Sequence, residues 1–308
     1  MLGRDVGLVP APDTFRHDGA HVHELFLTSL RAQIDDLARR GVGLAALVVD
    51  STFSSDGIYP DPGVLSAAAE LVHRAGGLII SDEVQSGFAR TGVAMWGYQR
   101  SGFTPDLATM GKPMGNGMPI AGVVAQSKYL NAFADDVAYF NTFGGENAPI
   151  AAAQAVLDVI DAEGLLANTR DKGDQIVVGL RNILDRFGFA ADVRGAGLYI
   201  GVEFVTDPSS KSPDTATTGA FVNGLRERKV LTSAAGTYGN VIKMRPPLVF
   251  SQSDTDRLLT EFEHVARDLA AGTPIHQPAA DAQWRPTRDD LRRLIIEELR
   301  GMMGEDRG

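Results

Sequence analysis

The sequence predicts an α/β protein in which a sheet is covered by helices on both sides, followed by a smaller α+β layer. Short apolar runs alternate with amphipathic helical patterns through the first half of the chain, as is typical of α/β folds. The run Leu44–Asp50 (LAALVVD) is apolar up to its final acid, which favours a strand buried on both faces. After Phe187 the composition changes to glycine-containing, partly alternating strand segments. The 308 residues suffice for about two domains.

Helical spacing and glycine stops define the elements of the first half. Leu27, Leu30, Ile34 and Leu37 recur at helical spacing before Gly41, which predicts an amphipathic helix and its end. Residues 1–20 contain two prolines and no period, so we expect an extended loop. The expected elements that follow are a helix over 21–40, a strand over 44–50, a helix over 64–75, strands over 78–81, 105–110 and 120–125, and helices over 147–162 and 165–187.

The second half is expected to form the α+β layer. Val193–Val205 (VRGAGLYIGVEFV) is typical of one strand, and its glycines match a dinucleotide-binding loop poorly because no helix follows. Ser253 is expected to cap a helix over 254–271, with Asp256 in a capping-box position. The other expected elements are a helix over 219–229, short strands over 230–231 and 241–244, a linker over 272–286 and an amphipathic helix over 287–303. These elements predict domains at 1–160 and 161–271 and a C-terminal linker and helix at 272–308.

Composition and charge exclude several classes of function. The formal net charge of −10 argues against nonspecific nucleic-acid binding, which needs a positive surface. The chain has no cysteine, which excludes disulfides, thiolate metal sites and cysteine nucleophiles and favours a reducing cytoplasm. The six histidines are scattered and predict no metal site. No apolar run approaches the roughly 20 residues of a membrane span, so we expect no membrane partner.

Two polar residues stand where apolar runs end and mark a candidate site. Asp82 closes the run LIIS, and Lys112 follows the run LATMG before a glycine-rich turn. In open α/β sheets, ligands collect beyond the carboxyl ends of the strands. A partly desolvated lysine can attack an aldehyde, and a carboxylate can keep a pyridine nitrogen protonated. The pair suggests a pyridoxal phosphate site, although a surface lysine and a capping aspartate would leave the same pattern.

Four segments of the chain resemble, in order, blocks of the class III, fold-type I aminotransferases that depend on pyridoxal phosphate. IISDEVQSGFARTG resembles the acidic signature, TMGKPMGNGMPIAGVV the segment with the Schiff-base lysine, NTFGGENAPIAAAQAVLDVI the next block, and VRGAGLYIGVEF a small-domain block. The resemblance runs from about Gly7 to Ala271. It implies a large domain with a mixed, mostly parallel sheet between helices, N-terminally truncated here, and a small α+β C-terminal domain.

The resemblance also implies roles for individual residues. Lys112 would form the Schiff base, Asp82 would pair with the pyridine nitrogen, and Val84 would pack on one face of the ring. Gln85 would hydrogen-bond the phenolic oxygen, and Thr142 would reach the cofactor phosphate of the partner subunit. The role of Thr142 implies a homodimer with shared active sites. The family as a whole implies a small amine or amino acid as the substrate.

The substrate side departs from the family pattern. Asp50, in DSTFSSDG, stands where the family usually has a glutamate followed by proline, and that glutamate engages a substrate-binding arginine. Lys243, in GNVIKMRPPL, stands where the family has an arginine that holds an α-carboxylate, with Arg245 two residues on. Lysine cannot copy the bidentate arginine fork, but two cations on one strand face can hold a phosphate. A solvated basic pair on an edge strand would give the same pattern.

The resemblance and the departures from it leave three possible functions. The first prediction is an aminotransferase that transfers an amino group from an amine or amino acid to a keto acid or aldehyde. The alternative is a phospho-lyase, because GNVIKMRPPL, LTSAAG and YFNTFGG are similar to family members that eliminate phosphate from phosphoethanolamine or phosphohydroxylysine. The third is a non-catalytic remnant or dimerisation module.

The third alternative rests on a difference at the start of the chain. The ring-stacking aromatic residue and the Ser/Gly-rich phosphate-binding turn of the family precede the position of Gly7 and are not found in this sequence. We therefore expect a fragment, a misassigned start or one part of a split gene. Alone, such a chain is expected to bind the cofactor weakly or not at all.

Overall fold

Two four-stranded sheets with their helices make up the part of the chain that the computed structural model describes, residues 3–59 and 63–273. Both sheets belong to one compact unit. In chain order the elements are α1 (Gly19–Arg39), β1 (Ala46–Val49), α2 (Val64–Arg74), β2 (Leu78–Asp82), α3 (Gly97–Arg100), β3 (Leu107–Met110), β4 (Gly122–Ala125), α4 (Ser127–Asp136), α5 (Asn147–Ala162), α6 (Leu165–Phe187), β5 (Ala191–Ala196), β6 (Tyr199–Phe204), α7 (Thr215–Glu227), β7 (Ser233–Ala235), β8 (Val241–Met244) and α8 (Gln252–Ala270).

The first sheet, called sheet 1, has the strand order β1-β2-β3-β4. The first three strands run parallel, with Ala46 opposite Leu78, and β4 runs antiparallel to β3. The prediction of a mixed, mostly parallel sheet is therefore confirmed. Helices α1 and α2 pack on one face, where the buried side chains Phe26, Leu30 and Val64 meet Val49 and Ile79 of the strands.

The opposite face of sheet 1 is not covered within the described residues. Val48 of β1 is 63% exposed, and Val123 of β4, which the strand register places on the same face, is 56% exposed. The prediction that the Leu44–Asp50 strand is buried on both faces is therefore wrong. The apolar run reflects strand preference as well as burial, because β-branched residues favour strands wherever they lie.

The second sheet, called sheet 2, is antiparallel and has the order β5-β6-β8-β7. The predicted single strand over Val193–Val205 is instead the hairpin β5–β6. Gly197 has a φ of +54° and allows the two-residue turn between the strands. The short strand predicted over 230–231 lies at β7 instead, and β8 is an interior strand rather than an edge.

Helices α6, α7 and α8 cover sheet 2 with the largest apolar cluster of the described residues. Phe204 of β6 stacks on Phe221 of α7 at 4.8 Å between ring centroids, and Phe221 contacts Phe262 of α8. The predicted bounds of α5 and α6 are confirmed. The cap of α8 is Ser251 with Asp254, two residues before the predicted pair, because the capping box recurs in the sequence SQSDTD.

Some predicted elements lie outside the described residues, and two observed helices were not predicted. The predicted helix over 287–303 and most of the linker over 272–286 lie outside the described residues. The short helix α3 and the helix α4 had no sequence prediction. Among the described helices, none combines the length and apolar character that crossing a membrane requires.

Candidate active site

The carboxyl ends of β2 and β3 bring Asp82 and Lys112 to the same edge of sheet 1. Asp82 is the last residue of β2 and pairs with Thr109 of β3 in parallel register. Lys112 follows β3 by two positions and begins the 3₁₀ turn Lys112–Gly115. Asp82 is half-buried and Lys112 is exposed. The structure therefore places a carboxylate and an amine where ligands of α/β sheets collect.

The backbone at this edge is tightly specified. The Asp82 Oδ1 atom accepts a hydrogen bond from the Val84 N–H at 3.0 Å, and its second oxygen remains available to a ligand. Lys112 has a φ of 44°, a left-handed conformation that costs a residue other than glycine roughly 1–2 kcal/mol. Strain of this kind is found at functional sites, where it fixes the direction of a side chain.

A buried carboxylate, Glu83, anchors the turn that carries Asp82. Its oxygens accept hydrogen bonds from the Ser81 and Ser86 hydroxyls at 2.7 and 3.0 Å. They also accept from the N–H groups of Gly97 and Tyr98, at the start of α3, at 2.6 and 3.0 Å. Glu83 is fully buried, so these four donors satisfy a charge that would otherwise be costly to bury. The sequence analysis attached no role to this residue.

Strand β8 adds two cations to the site. The Lys243 ammonium donates to the Ser54 carbonyl oxygen at 3.0 Å, and the Arg245 guanidinium donates to the Gln85 Oε1 atom at 3.0 Å. Burial, then the Arg245 guanidinium and, more weakly, the Lys112 ammonium lower the pKa of Lys243, with partial compensation from the Asp50 carboxylate. Because Lys112 influences Lys243, the structure brings these residues of the two sheets into one electrostatic environment.

Arg90 is a buried cation that the sequence analysis missed. It donates to the carbonyl oxygens of Leu198 and Pro246. Burial and then the Arg245 guanidinium lower the pKa of Arg90 to about 10, so it remains charged at neutral pH. We call Arg90, Lys112, Lys243 and Arg245 the cation cluster. The motif FARTG was available in the sequence, but the carbonyl partners of Arg90 lie more than 100 residues away.

Asp50 and Tyr199 lie beside the cation cluster. The Asp50 carboxylate accepts from the Thr52 N–H and hydroxyl and from the Ser54 N–H at 2.7–2.9 Å, so it shapes its own turn. Tyr199 is fully buried, and its hydroxyl has no hydrogen-bond partner of normal geometry within the described residues, although Ser54 lies beside it. Burial raises the pKa of Tyr199, so the hydroxyl is a neutral donor.

An ion-pair network joins the 51–59 loop, which follows β1, to sheet 2. Arg194 of β5 donates to the carbonyl oxygens of Gly57 and Ile58 at 2.6–3.1 Å. Its guanidinium pairs with Glu203 of β6 at 2.6 Å, and Arg16 pairs with the other oxygen of Glu203 at 2.6 Å. A buried carboxylate between two arginines is fully paired, which removes the penalty for burying it alone.

Thr142 lies apart from the other predicted site residues. It belongs to the exposed segment between α4 and α5, where the Asn141 side chain caps the turn at Phe143 and Gly144. Across the described parts of the chain, no hydrogen bond or ion pair joins Thr142 to Asp82 or Lys112. Its predicted role in a partner subunit stays a prediction.

The donor chemistry of the site fits the ring of pyridoxal phosphate. Asp82 offers a carboxylate to a pyridine nitrogen, and Lys112 offers an amine to an aldehyde. Gln85 offers an amide to a ring oxygen, and Val84 lies half-buried beside it. The fold and these donor groups are of the kind that could hold a pyridine aldehyde at this sheet edge.

Comparison with known proteins places the chain more narrowly. Residues 5–266 match the family described as "Aminotransferase class-III", and the chain belongs to this family. It is 35% identical over 267 residues to the protein named alanine–glyoxylate aminotransferase 2-like of Drosophila melanogaster, covering 83% of this chain and 54% of that one. It is 32% identical over 279 residues to ethanolamine-phosphate phospho-lyase homolog 1 of Caenorhabditis elegans, covering 84% of this chain and 59% of the relative.

A solved structure supports the fold assignment. The phospholyase from Arthrobacter, solved in complex with phosphoethanolamine, superposes with a TM-score of 0.82 at 40% identity. The match covers 87% of this chain and 64% of that protein. The fold-type I resemblance is therefore confirmed. The chain spans a little over half the length of the curated relatives it matches.

Proposed function

We propose that this chain carries the reacting lysine of a pyridoxal-phosphate-dependent enzyme that acts on a small primary amine. The observation that carries the proposal is the placement of Asp82 and Lys112 at adjacent strand ends on one edge of sheet 1. When bound, the cofactor withdraws electrons from the substrate carbon next to the amine. The chain supplies the groups that hold the ring and move the proton.

Each site residue has a distinct task in this proposal. The Asp82 carboxylate would hold a proton on the pyridine nitrogen of a bound cofactor, and the Lys112 Nζ atom would hold its aldehyde carbon. The Lys112 amine would also serve as the base that accepts the proton from the substrate carbon.

The cation cluster supports a substrate with a phosphate group. The Arg245 guanidinium lowers the pKa of both Lys243 and Arg90, so the three cations lie near one another. Within the described residues the Asp50 carboxylate forms no ion pair with this group, since it accepts its hydrogen bonds from Thr52 and Ser54. A surplus of positive charge favours an anion with several acceptor oxygens. The bound phosphoethanolamine of the Arthrobacter phospholyase and the name of the nematode relative point to the same substrate class.

We therefore propose elimination of phosphate from a phosphorylated amino alcohol. The C–H bond beside the amine breaks and its proton goes to Lys112. The C–O bond at the next carbon breaks, and its electron pair leaves with the phosphate. Addition of water releases ammonia, so phosphoethanolamine would give acetaldehyde, ammonia and phosphate. Lys243 and Arg245 hold the leaving phosphate and stabilise its charge.

Phosphate release tests this proposal. The intact enzyme, rather than this chain alone, is incubated with pyridoxal phosphate and phosphoethanolamine in the absence of any keto acid, and free phosphate is measured. Lys112→Ala is expected to abolish release, and the control Lys172→Ala on α6 is expected to retain it. Borohydride trapping followed by peptide mass spectrometry is expected to place the cofactor on Lys112. Trapping on another lysine would contradict the assignment.

Amino transfer is the second candidate function. The insect relative carries an aminotransferase name, and Asp82 and Lys112 serve that reaction equally well. Formation of an amino acid that depends on an added keto acid, without phosphate release, would select this function. If neither product forms and no cofactor is trapped, the remnant or dimerisation module is the remaining alternative.

We also propose a homodimer whose subunits meet near Thr142. The residues around it are apolar and exposed, with Phe140 at 86% and Phe143 at 82%. Large exposed apolar patches mark interaction sites. Sedimentation of the purified protein is expected to give a dimer, and the double change Phe140→Ser and Phe143→Ser is expected to give a monomer. A cytoplasmic location is proposed from the absence of cysteine, and cell fractionation tests it.

A further inference from the structure

The contact between Arg245 and Gln85 fixes which way the Gln85 amide faces. The guanidinium lies 3.0 Å from one atom of the amide. Every polar hydrogen of a guanidinium is a donor and none of its nitrogens accepts. The atom that faces Arg245 must therefore be the amide oxygen. The NH₂ group of Gln85 is left on the other side as a donor.

The main chain on both sides of Arg245 is held in place, while the side chain itself is exposed. The paired strands β6 and β8 end just before it, with Ile200 opposite Met244. Directly after it, the Pro246 carbonyl oxygen accepts from Arg90. Arg90 lies on the turn that also carries Gln85, so two contacts join this turn to the end of β8. An arginine held in this way keeps its charge at all ordinary pH values.

Arg245 keeps donors for a second partner. A guanidinium has five N–H donors in a planar fork, and Gln85 takes one of them. Within the described residues no ion pair joins Arg245 to a carboxylate, and its neighbours Arg90 and Lys243 are themselves cations. Arg245 can therefore donate to Gln85 and to a substrate anion at the same time.

We infer that Arg245 is a positioning residue that fixes Gln85 as a hydrogen-bond donor to the cofactor ring and so links the substrate anion site to that ring. The inference rests on the proposed function, in which the ring oxygen lies beside Gln85. A donor at that oxygen draws electron density from it. The neighbouring protonated nitrogen on Lys112 then loses its proton at a lower pH.

The visible absorbance of the bound cofactor, followed against pH, tests the inference. Gln85→Leu removes the donor and is expected to raise the pH midpoint of the absorbance change by about 0.5–1 unit. Arg245→Met is expected to raise the midpoint in the same direction. In the double variant the shifts are expected not to add, because Arg245 acts through Gln85. The control Arg170→Met, an exposed arginine of α6, is expected to leave the midpoint unchanged.

The outcomes separate the inference from the proposed function. If the intact wild-type enzyme shows no cofactor band at saturating pyridoxal phosphate, the proposed function fails and the inference fails with it. If the band forms but Arg245→Met leaves the midpoint in place, or the two shifts add, only the inference is overturned. A second measurement needs no cofactor: the ¹⁵N side-chain amide resonance of Gln85 is expected to move in Arg245→Met, and an unchanged resonance would overturn the inference.

Discussion

The buried carboxylate of Glu83 gives the sharpest stability prediction. Each of its oxygens accepts from one serine hydroxyl and from one N–H group at the start of α3. Glu83→Gln replaces one oxygen by an NH₂ group. In either orientation of the amide, this NH₂ faces the N–H of Gly97 or Tyr98. The serine hydroxyls can rotate to accept from it, but a main-chain N–H cannot.

The contacts give the size of the effect. One donor–donor clash leaves a buried N–H unpaired, which costs about 1–3 kcal/mol. Glu83→Ala leaves both the Gly97 and Tyr98 N–H groups unpaired, each at about 1–3 kcal/mol, so we expect a loss of about 2–6 kcal/mol. Glu83→Gln is therefore expected to lie between the wild type and Glu83→Ala.

Urea unfolding, followed by circular dichroism, measures these differences. Glu70→Ala on α2 is the matched control, because its side chain is 70% exposed and its loss is expected to change the unfolding free energy by less than about 0.5 kcal/mol. If Glu83→Gln proves as stable as the wild type, the carboxylate does not accept from both N–H groups and the reasoning is refuted.

Three further predictions concern the substrate anion, pH and close packing. Lys243→Met is expected to raise the KM for phosphoethanolamine about tenfold or more, and an unchanged KM would remove Lys243 from the anion site. Burial raises the pKa of Asp106, but hydrogen bonds from the Ile79 N–H, His73 and Tyr129 outweigh it and hold that pKa below its ordinary value. The stabilisation from Asp106 is therefore present above about pH 3.9 and is lost as the pH falls through the lowered pKa. Asp106→Asn is expected to flatten this part of a urea-unfolding pH profile, and an unaltered slope would contradict this role of Asp106. In Gly173→Ala the new Cβ would collide with the Gly197 carbonyl, so we expect the unfolding free energy to fall by about 1–3 kcal/mol. Gly219→Ala, on the open face of α7, is expected to raise the unfolding free energy by up to about 1 kcal/mol. Equal stability of the two variants would contradict the contact between Gly173 and Gly197.

Local periodicity predicted most elements, because apolar residues recur along the sequence with the period of the helix or strand that buries them. The bounds of α5 and α6 follow from glycines at both ends and an uninterrupted helical pattern. The hairpin β5–β6 was missed for a physical reason. The residues on both sides of Gly197 are apolar and strand-forming, and only the positive φ of that one glycine divides them. A one-dimensional pattern does not record where the backbone reverses.

The site was predicted only in part. Asp82 and Lys112 could be placed together because the ends of adjacent parallel strands share an edge. Arg90 and Glu83 were missed because their partners are main-chain groups of other segments, which leave no complementary residue type in the sequence. The contact of Arg245 with Gln85 joins residues 160 positions apart. They meet only because the turn after β2 packs against the end of β8 in the folded chain.

The hydrogen bonds between sheet 2 and the 51–59 loop affect which positions of the loop can change in sequence. Lys243 donates to the Ser54 carbonyl, Arg194 to those of Gly57 and Ile58, and the Gly236 N–H to that of Ser55. All four acceptors are main-chain oxygens, which every amino acid possesses. The side chain of the exposed Ser55 can therefore be exchanged without loosening the attachment of the loop. Substitution at this position can alter the loop surface on a fixed backbone, which makes it a natural place to begin redesign of specificity.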